Sequence, residues 1–270
     1  MDIKTLKYTP SWEWPENAHE IFLGILRDKQ SSESDRQTAV ELAGDLVVMN
    51  DELADELLFI LEEESESELL RSRAAISLGP VLEQSDLEGF DDPAEIPITE
   101  QTFERIRETL RKLYMDADVP MKVRRRILEA SVRSPQKWHR DAIRDAYKKG
   151  EDDWKLTAVF CMRYVRGFDK QIIESLESSD PDIEYEAVCA AGTWGLKGAW
   201  SHIVSLVTSE DTEKSLLIAA IEAVPGIRPK QTAEVLDELL DSDDEDIVDA
   251  VHEALAMAGE PWEEEDETLH

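Results

Sequence analysis

The feature that most constrains the fold is a helical segment that recurs along the chain at intervals of about 31 residues. Seven ten-residue segments align, at 35–44, 70–79, 123–132, 154–163, 183–192, 216–225 and 247–256. Apolar residues fall at helical spacing in each segment, and a second helical pattern lies between successive segments. A unit of this length cannot bury its own apolar face, so neighbouring units must stack into one core. The repetition predicts an all-α fold, an α-solenoid of about seven helix pairs.

Small residues at helical spacing support this interpretation. Ala187, Ala190 and Ala191 occur in one segment, and the last position of the segments is often glycine or another small residue, as at Gly44 and Gly192. Small side chains let neighbouring helices approach closely. Asp and Ser precede several segments, where they are expected to cap the next helix and complement its dipole.

The repeat pattern also predicts the limits of the array. We expect residues 1–33 to form an N-terminal arm and capping helix, with Trp12 and Trp14 folded over the first repeat. Residues 34–259 form the repeat array, and residues 260–270 form an acidic C-terminal tail.

One interval is too long. Gly79 and Val132 occupy equivalent positions 53 residues apart, and an acidic insertion at about 83–98 fills the excess. Gly89 and Pro97 are incompatible with a continuous helix through it. The insertion is either a loop that covers the array or a loop that contacts a partner.

The charge of the chain limits its partners. The sequence has 62 acidic and 29 basic residues and a formal charge of -33. Such a surface disfavours nucleic acid and anionic lipid and favours a cationic or charge-matched partner. No apolar run approaches the roughly 20 residues of a membrane helix, and the N-terminus lacks the apolar core of a secretory signal. We expect a cytoplasmic protein whose two cysteines, Cys161 and Cys189, are reduced core residues.

Three segments, DVPMKVRRRILEA, DPDIEYEAVCAAG and DEDIVDAVHEALAMAG, resemble the HEAT-like repeats of the phycobilisome-lyase type. The resemblance extends over about residues 34–259. It concerns mostly packing residues, so it implies the architecture and says little about activity. In that family the helices with a Val-Arg pair line the concave face. The resemblance thereby implies contacts to a partner from Arg124, Arg125, Lys155, Glu184 and Tyr185.

A basic belt lies between two acidic regions. Residues 105–149 carry 14 basic and 6 acidic side chains. The belt contributes four candidate binding residues: Arg124, Arg125, Arg140 and Arg144. They form either ordinary pairs with nearby carboxylates such as Asp141 and Asp145, or a site for an anion or an acidic peptide.

The sequence offers no catalytic constellation. Deoxyhypusine hydroxylase, a HEAT-like protein, holds iron with His-Glu pairs directly after the Val-Arg position, and no histidine occupies that position in any of the seven segments. There is no phosphate-binding loop and no nucleophile motif. We therefore predict no metal site, no cofactor and no catalytic residue. A lyase would need an aromatic cavity, for which the sequence offers Trp154, Tyr185, Trp194 and Trp200, although inter-repeat packing explains these residues better.

These observations favour a non-catalytic HEAT-like scaffold that binds another macromolecule, most simply a protein, through its concave groove and the basic belt. The alternative is a lyase- or chaperone-like enzyme that holds a ligand in the same groove. A third hypothesis, a nucleic-acid repair module of the alkylpurine-glycosylase kind, conflicts with the net charge. Convergence of Trp154, Tyr185 and Arg124 in one enclosed pocket would favour the enzyme.

Overall fold

The computed structural model describes residues 2–90 and 96–259, and within them every regular element is helical. The α-helices are α1 (Ile3–Lys7), α2 (Ala18–Arg27), α3 (Glu33–Ala43), α4 (Asp51–Glu62), α5 (Glu68–Ser77), α6 (Gly79–Glu88), α7 (Glu100–Met115), α8 (Met121–Ser131), α9 (His139–Lys148), α10 (Asp152–Met162), α11 (Asp169–Ser175), α12 (Pro181–Thr193), α13 (Trp200–Thr208), α14 (Lys214–Ile227), α15 (Thr232–Leu236) and α16 (Glu245–Gly259). Short 3-10 turns lie at Ser11–Glu13, Lys197–Ala199, Pro229–Gln231 and Asp237–Asp241. The predicted all-α class, a stack of helix pairs of the α-solenoid type, is confirmed.

The chain divides into two compact units, Met1–Ala142 and Ile143–His270, which we call the N-terminal unit and the C-terminal unit. The aligned segments form what we call the B helices: α3, α5, α8, α10, α12, α14 and α16. In the N-terminal unit α3 packs against α5 and α5 against α8, and in the C-terminal unit α10, α12, α14 and α16 pack in the same successive way. Most B helices also pack on the helix that precedes them, as α5 does on α4 and α14 on α13.

Capping residues explain where several B helices begin. Ser67 accepts a hydrogen bond from the Leu70 backbone N–H at the start of α5. Asp180 accepts one from the Asp182 N–H at 3.0 Å, and Pro181 fills the first position of α12. These oxygens satisfy N–H groups that have no partner inside the helix. The capping role that the sequence indicates for Asp and Ser is thus present.

The long interval between repeats contains one extra helix. Helix α6 follows α5 directly and ends at Glu88, because Gly89 adopts a positive φ of 71°. After it, Phe90 packs its ring against Phe103 at 5.3 Å, and Ile96 and Ile98 are buried. The insertion is therefore partly helical at its start, and Phe90, Ile96 and Ile98 pack on the N-terminal unit, whereas Leu87 is 78% exposed. Pro93 and the tail at 260–270 lie outside the described residues.

The N-terminal arm meets the first repeat through α1, which packs against α3. Trp14 donates from Nε1 to the Thr9 carbonyl oxygen at 2.8 Å and sets its ring edge-on to Phe22. The prediction is wrong for Trp12, which lies on a 3-10 turn with 79% of its surface exposed. The limits proposed for the arm, array and tail stay predictions.

No helix among the described residues combines the length and the apolar character needed to cross a membrane.

Candidate binding groove

Arg124 lies between two helices of the N-terminal unit. Its Nε donates to the Tyr114 carbonyl oxygen at 2.8 Å, and its guanidinium lies over the Tyr114 ring. Arg71 makes the equivalent bond to the Leu61 carbonyl oxygen at 2.9 Å, and Arg36 makes it to Leu26 at 3.3 Å. In all three cases the acceptor lies ten residues earlier, in the last turn of the preceding helix. These arginines satisfy carbonyl groups that have no partner inside their own helix.

The other arginines of α8 differ sharply in exposure. Arg125 is 9% exposed, whereas Arg126 is exposed and pairs with Glu129 on the same helix. Three neighbouring arginines thus have three different exposures: Arg124 is half-buried, Arg125 is buried and Arg126 is exposed. Arg140 and Arg144 are exposed on α9. Each of these two also interacts with other groups of the protein.

The three candidates in the C-terminal unit face different surroundings. Lys155 lines an open cavity of about 670 Å³ at the start of α12, together with Asp152 and Asp180. Glu184 accepts a hydrogen bond from Nε2 of His202 on α13 at 2.9 Å. Tyr185 is 37% exposed.

The aromatic residues that a lyase would need do not form a shared cavity. Trp154 is 1% exposed, and Lys149 Nζ lies 3.3 Å from its ring centre. Trp194 donates from Nε1 to the Met162 carbonyl oxygen at 2.7 Å and carries Arg166 over its ring. Trp154 is therefore a core residue, and Trp194 contacts the end of the preceding B helix.

The N-terminal unit contains a buried Ser-His pair, Ser131 and His139, that the sequence alone does not reveal. His139 Nδ1 accepts a hydrogen bond from the Gln136 N–H at 2.8 Å, so Nε2 carries the proton and donates to Ser131 Oγ at 3.0 Å. Burial, with help from the charge of Arg107, lowers the pKa of His139 to about 3. A general base would have to accept a proton from the serine. This histidine donates one instead, so the pair is structural.

The most distinctive surface feature of the C-terminal unit is a groove of about 600 Å³. Its lining comes from the B helices α12, α14 and α16 and from residues just after α10, α12 and α14. Small residues form its floor: Gly192, Ala219, Ala223, Gly226 and Ala254. Larger side chains form its walls: Arg163, Arg166, Trp194, Glu222, Glu253 and Met257. We call this feature the C-terminal groove.

The helix backbones approach closely beneath the floor of the groove. An ideal Cβ on Gly192 would lie 2.8 Å from both Cα and Cβ of Ala223. A Cβ on Gly226 would lie 2.3 Å from the Gly192 carbonyl oxygen. Both distances are well below a van der Waals contact, so these positions require glycine and hold α12 against α14.

The cysteine in the groove is not a reactive thiol. Burial and the neighbouring Glu186 carboxylate raise the pKa of Cys189 to about 11. The electrostatic interaction with Cys189, burial and the Glu186 carboxylate in turn raise the pKa of Tyr185. Because the thiolate is the nucleophilic form, a thiol with this pKa stays protonated at neutral pH.

Two wall residues are missing from the candidates that sequence reasoning provides. Glu222 and Glu253 occupy the seventh position of their aligned segments, 31 residues apart, and both are exposed. Cys189 holds the same position one repeat earlier. The shared position of the two glutamates could therefore have been found in the alignment, but among 62 acidic residues it did not stand out.

No group of three His, Cys, Asp or Glu side chains within residues 2–90 and 96–259 is arranged to hold a metal ion.

A comparison of the sequence with protein-family models and with curated proteins finds no match. Solved structures similar to this chain are helical repeat proteins. E. coli YibA is 16% identical with a TM-score of 0.48, over 94% of this chain and 85% of YibA. Human deoxyhypusine hydroxylase is 14% identical with a TM-score of 0.41, over 95% and 88%. A designed armadillo repeat protein is 14% identical with a TM-score of 0.36, over 88% and 98%.

Proposed function

We propose that this protein is a non-catalytic helical-repeat scaffold that binds another macromolecule, a protein, along the C-terminal groove. The observation that carries the proposal is the groove itself. Its lining combines an apolar floor with charged walls and crosses three successive B helices. An open surface of this kind suits an extended protein segment better than a small enclosed ligand.

The chemical groups near the groove support binding rather than nucleophilic catalysis. The Cys189 thiol stays protonated at neutral pH because its pKa is raised to about 11. Trp154, which an aromatic cavity would need, is buried in the core. What remains accessible is a set of carboxylates, guanidiniums and apolar side chains, which are the groups that recognise polypeptides.

The basic belt is the second surface of the proposal. Arg140 and Arg144 expose their side chains on α9, in the one stretch where basic residues outnumber acidic ones. Arg124 and Arg125 contribute less to a surface, since one bridges two helices and the other is buried. Lys155, Glu184 and Tyr185 complete the proposed contacts. The net charge of -33 favours a protein over nucleic acid as the partner.

Two further assignments belong to this proposal. The repeats are of the phycobilisome-lyase type, which the pattern of the B helices supports. The protein works in the cytoplasm, which agrees with Cys161 and Cys189 both being free thiols.

A pair of threonines allows a controlled test. Thr193 lies in the groove wall and Thr208 lies on α13, outside the groove lining. Both are exposed, and each hydroxyl donates to the carbonyl oxygen four residues earlier, at 3.0 and 2.9 Å. Peptides are selected from a random display library on the wild-type protein, and their binding is then measured on Thr193→Trp and Thr208→Trp.

We expect the indole of Thr193→Trp to obstruct the groove and abolish binding of the selected peptides, while Thr208→Trp binds them like the wild type. Equal binding to both variants would place the peptide site elsewhere. A library that yields no binder would contradict the proposal.

A further inference from the structure

The C-terminal groove carries an unbalanced charge on two successive helices. Glu222 on α14 and Glu253 on α16 are both exposed, and neither forms an ion pair with any residue in the described part of the chain. By contrast, the exposed Glu41 carboxylate on α3 pairs with Arg73 on α5 at 2.6 Å. Two unpartnered carboxylates over an apolar floor form a binding surface for cations.

The floor between these carboxylates suits a polypeptide. Ala219, Ala223 and Ala254 are nearly inaccessible to solvent, yet they line the groove and leave room above it. Met257 is 48% exposed at one side. Methionine adapts to different apolar partners, and surfaces that bind peptides use it for this reason.

The end of the groove near α10 carries positive charge. Arg163 and Arg166 lie at the end of α10 and beyond it, next to Trp194. A ligand that is positive along its whole length would meet repulsion there. The groove is therefore complementary to a segment with cations over α14 and α16 and a neutral or acidic residue near α10.

We propose that the C-terminal groove binds an extended peptide with lysine or arginine side chains three residues apart where it crosses α14 and α16. This inference rests on the proposed function and specifies the partner. The carboxylates of Glu222 and Glu253 each pair with one cationic side chain of the peptide, and the intervening residues lie on the alanine floor.

The three-residue spacing follows from helix packing. Glu222 and Glu253 hold equivalent positions on packed helices, and packed helices lie about 8–10 Å apart. A polyproline II segment has three residues per turn and advances about 3.1 Å per residue, so side chains three residues apart point the same way about 9 Å apart. The distance between the two helices therefore matches the distance between side chains three residues apart on one side of such a segment.

The first experiment compares short proline-rich peptides that differ only at every third position. The probes carry lysine, glutamine or glutamate there, and a fourth probe has the same lysines placed consecutively. Binding to the wild-type protein is measured by fluorescence anisotropy at low and at physiological salt. We expect the spaced lysine peptide to bind most tightly and to weaken as salt screens the charges.

The second experiment changes the protein. An exposed ion pair contributes up to about a fivefold change in affinity, so Glu222→Gln with Glu253→Gln should weaken the spaced lysine peptide about ten- to twentyfold. Glu210→Gln with Glu234→Gln is the matched control, because it removes two exposed carboxylates outside the groove lining and leaves binding unchanged. Glu222→Lys with Glu253→Lys should reverse the preference toward the glutamate peptide.

Other results would overturn the inference in distinct ways. Equal binding of all four peptides, lost in Thr193→Trp, leaves the proposed function standing and removes the charge preference. Tighter binding of the glutamate peptide assigns recognition to Arg163 and Arg166. A concentration-dependent dimer that Thr193→Trp disrupts would make a second copy of the chain the occupant. If none of the four peptides binds, the inference fails, and the library selection alone decides the proposed function.

Discussion

The two units solve the same packing problem with different residues. In the N-terminal unit, the second position of three aligned segments is arginine, and Arg36, Arg71 and Arg124 each bridge to a carbonyl oxygen of the preceding helix. In the C-terminal unit that position holds Lys155, Glu184, Leu217 and Val248. There a carbonyl group in the last turn of α13 has a different partner: Thr212 Oγ1 donates to the Leu206 carbonyl oxygen at 2.8 Å.

The contacts between B helices differ in what they leave accessible. In the N-terminal unit, charged side chains of the B helices pair with each other, as Arg73 does with Glu41 and Arg126 with Glu129. In the C-terminal unit, glycine and alanine bring the backbones together and leave Glu222 and Glu253 without ion-pair partners among the described residues. The C-terminal unit also pairs charges between B helices, as Lys214 does with Asp246, so the difference between the units lies in the open groove and its two exposed glutamates.

The largest expected effect tests the close helix contact of the C-terminal unit. A leucine at Gly192 would push atoms into Ala223, where even a Cβ lies at 2.8 Å. We expect Gly192→Leu to lower the free energy of unfolding by about 3 kcal/mol or more, because the backbones must separate. Urea denaturation measures the loss.

Gly24→Leu provides the control, because a Cβ at Gly24 meets no atom within 4 Å and the position is helical. Leucine has a better helix propensity than glycine, so this variant should be as stable as the wild type or slightly more stable. Equal losses in both variants would show that α12 and α14 are not in close contact.

The arginine bridge of the N-terminal unit gives the second prediction. Arg71 is 5% exposed, and its loss leaves the Leu61 carbonyl oxygen without this partner. We expect Arg71→Met to cost about 2–3 kcal/mol, the range of hydrogen bonds to charged groups. Arg73→Met, on the same helix but paired at the surface with Glu41, should cost about 1 kcal/mol or less. Similar losses in the two variants would refute the bridging role of Arg71.

The buried histidine gives the N-terminal unit a specific pH dependence. The pKa of His139 falls from an unfolded value of 6.5 to about 3 in the folded protein. Between about pH 6.5 and pH 3, His139 therefore binds a proton in the unfolded chain but not in the folded protein. The stability from this residue is complete above about pH 6.5 and declines as the pH falls toward about 3.

We expect His139 to make the protein about 2 kcal/mol less stable at pH 5 than at pH 7. His139→Gln should lack this difference. Urea denaturation at the two pH values measures it, and an NMR titration of the imidazole checks it in the wild-type protein. A ring that becomes protonated near pH 6 would contradict the prediction.

The smallest effect concerns the basic belt. Arg140 and Arg144 are exposed on α9, so Arg140→Glu with Arg144→Glu should change the free energy of unfolding by about 1 kcal/mol or less. The same variant should lose salt-dependent binding of an acidic peptide, as the belt proposal requires. A destabilised variant that still binds the acidic peptide would make these arginines structural.

Much of the fold could be predicted from the sequence because the repeat is local. The spacing of apolar and small residues determined the all-α class and placed the B helices. The small residues at the last position of the aligned segments, such as Gly44 and Gly192, also indicated close helix contacts, and both glycines have them. Local capping residues such as Ser67 and Asp180 marked helix starts, since a cap acts on the next three residues.

The surface of each helix could not be predicted in the same way. Arg125 is buried and Arg126 exposed, although both belong to one basic run. Adjacent helical residues point about 100° apart, so which of them meets a neighbour depends on how the helix is rotated in the stack. The interpretation of four arginines as one belt treated sequence proximity as a shared surface.

The sequence by itself determined the repeat, the helix pairs and the residues small enough for close packing, because these depend on spacing along one chain. Only the tertiary structure decided that Arg125 is buried, that Arg124 bridges two helices and that Glu222 and Glu253 share an open groove. Those properties depend on the distance and rotation between helices that are about 31 residues apart in sequence, and packing fixes both.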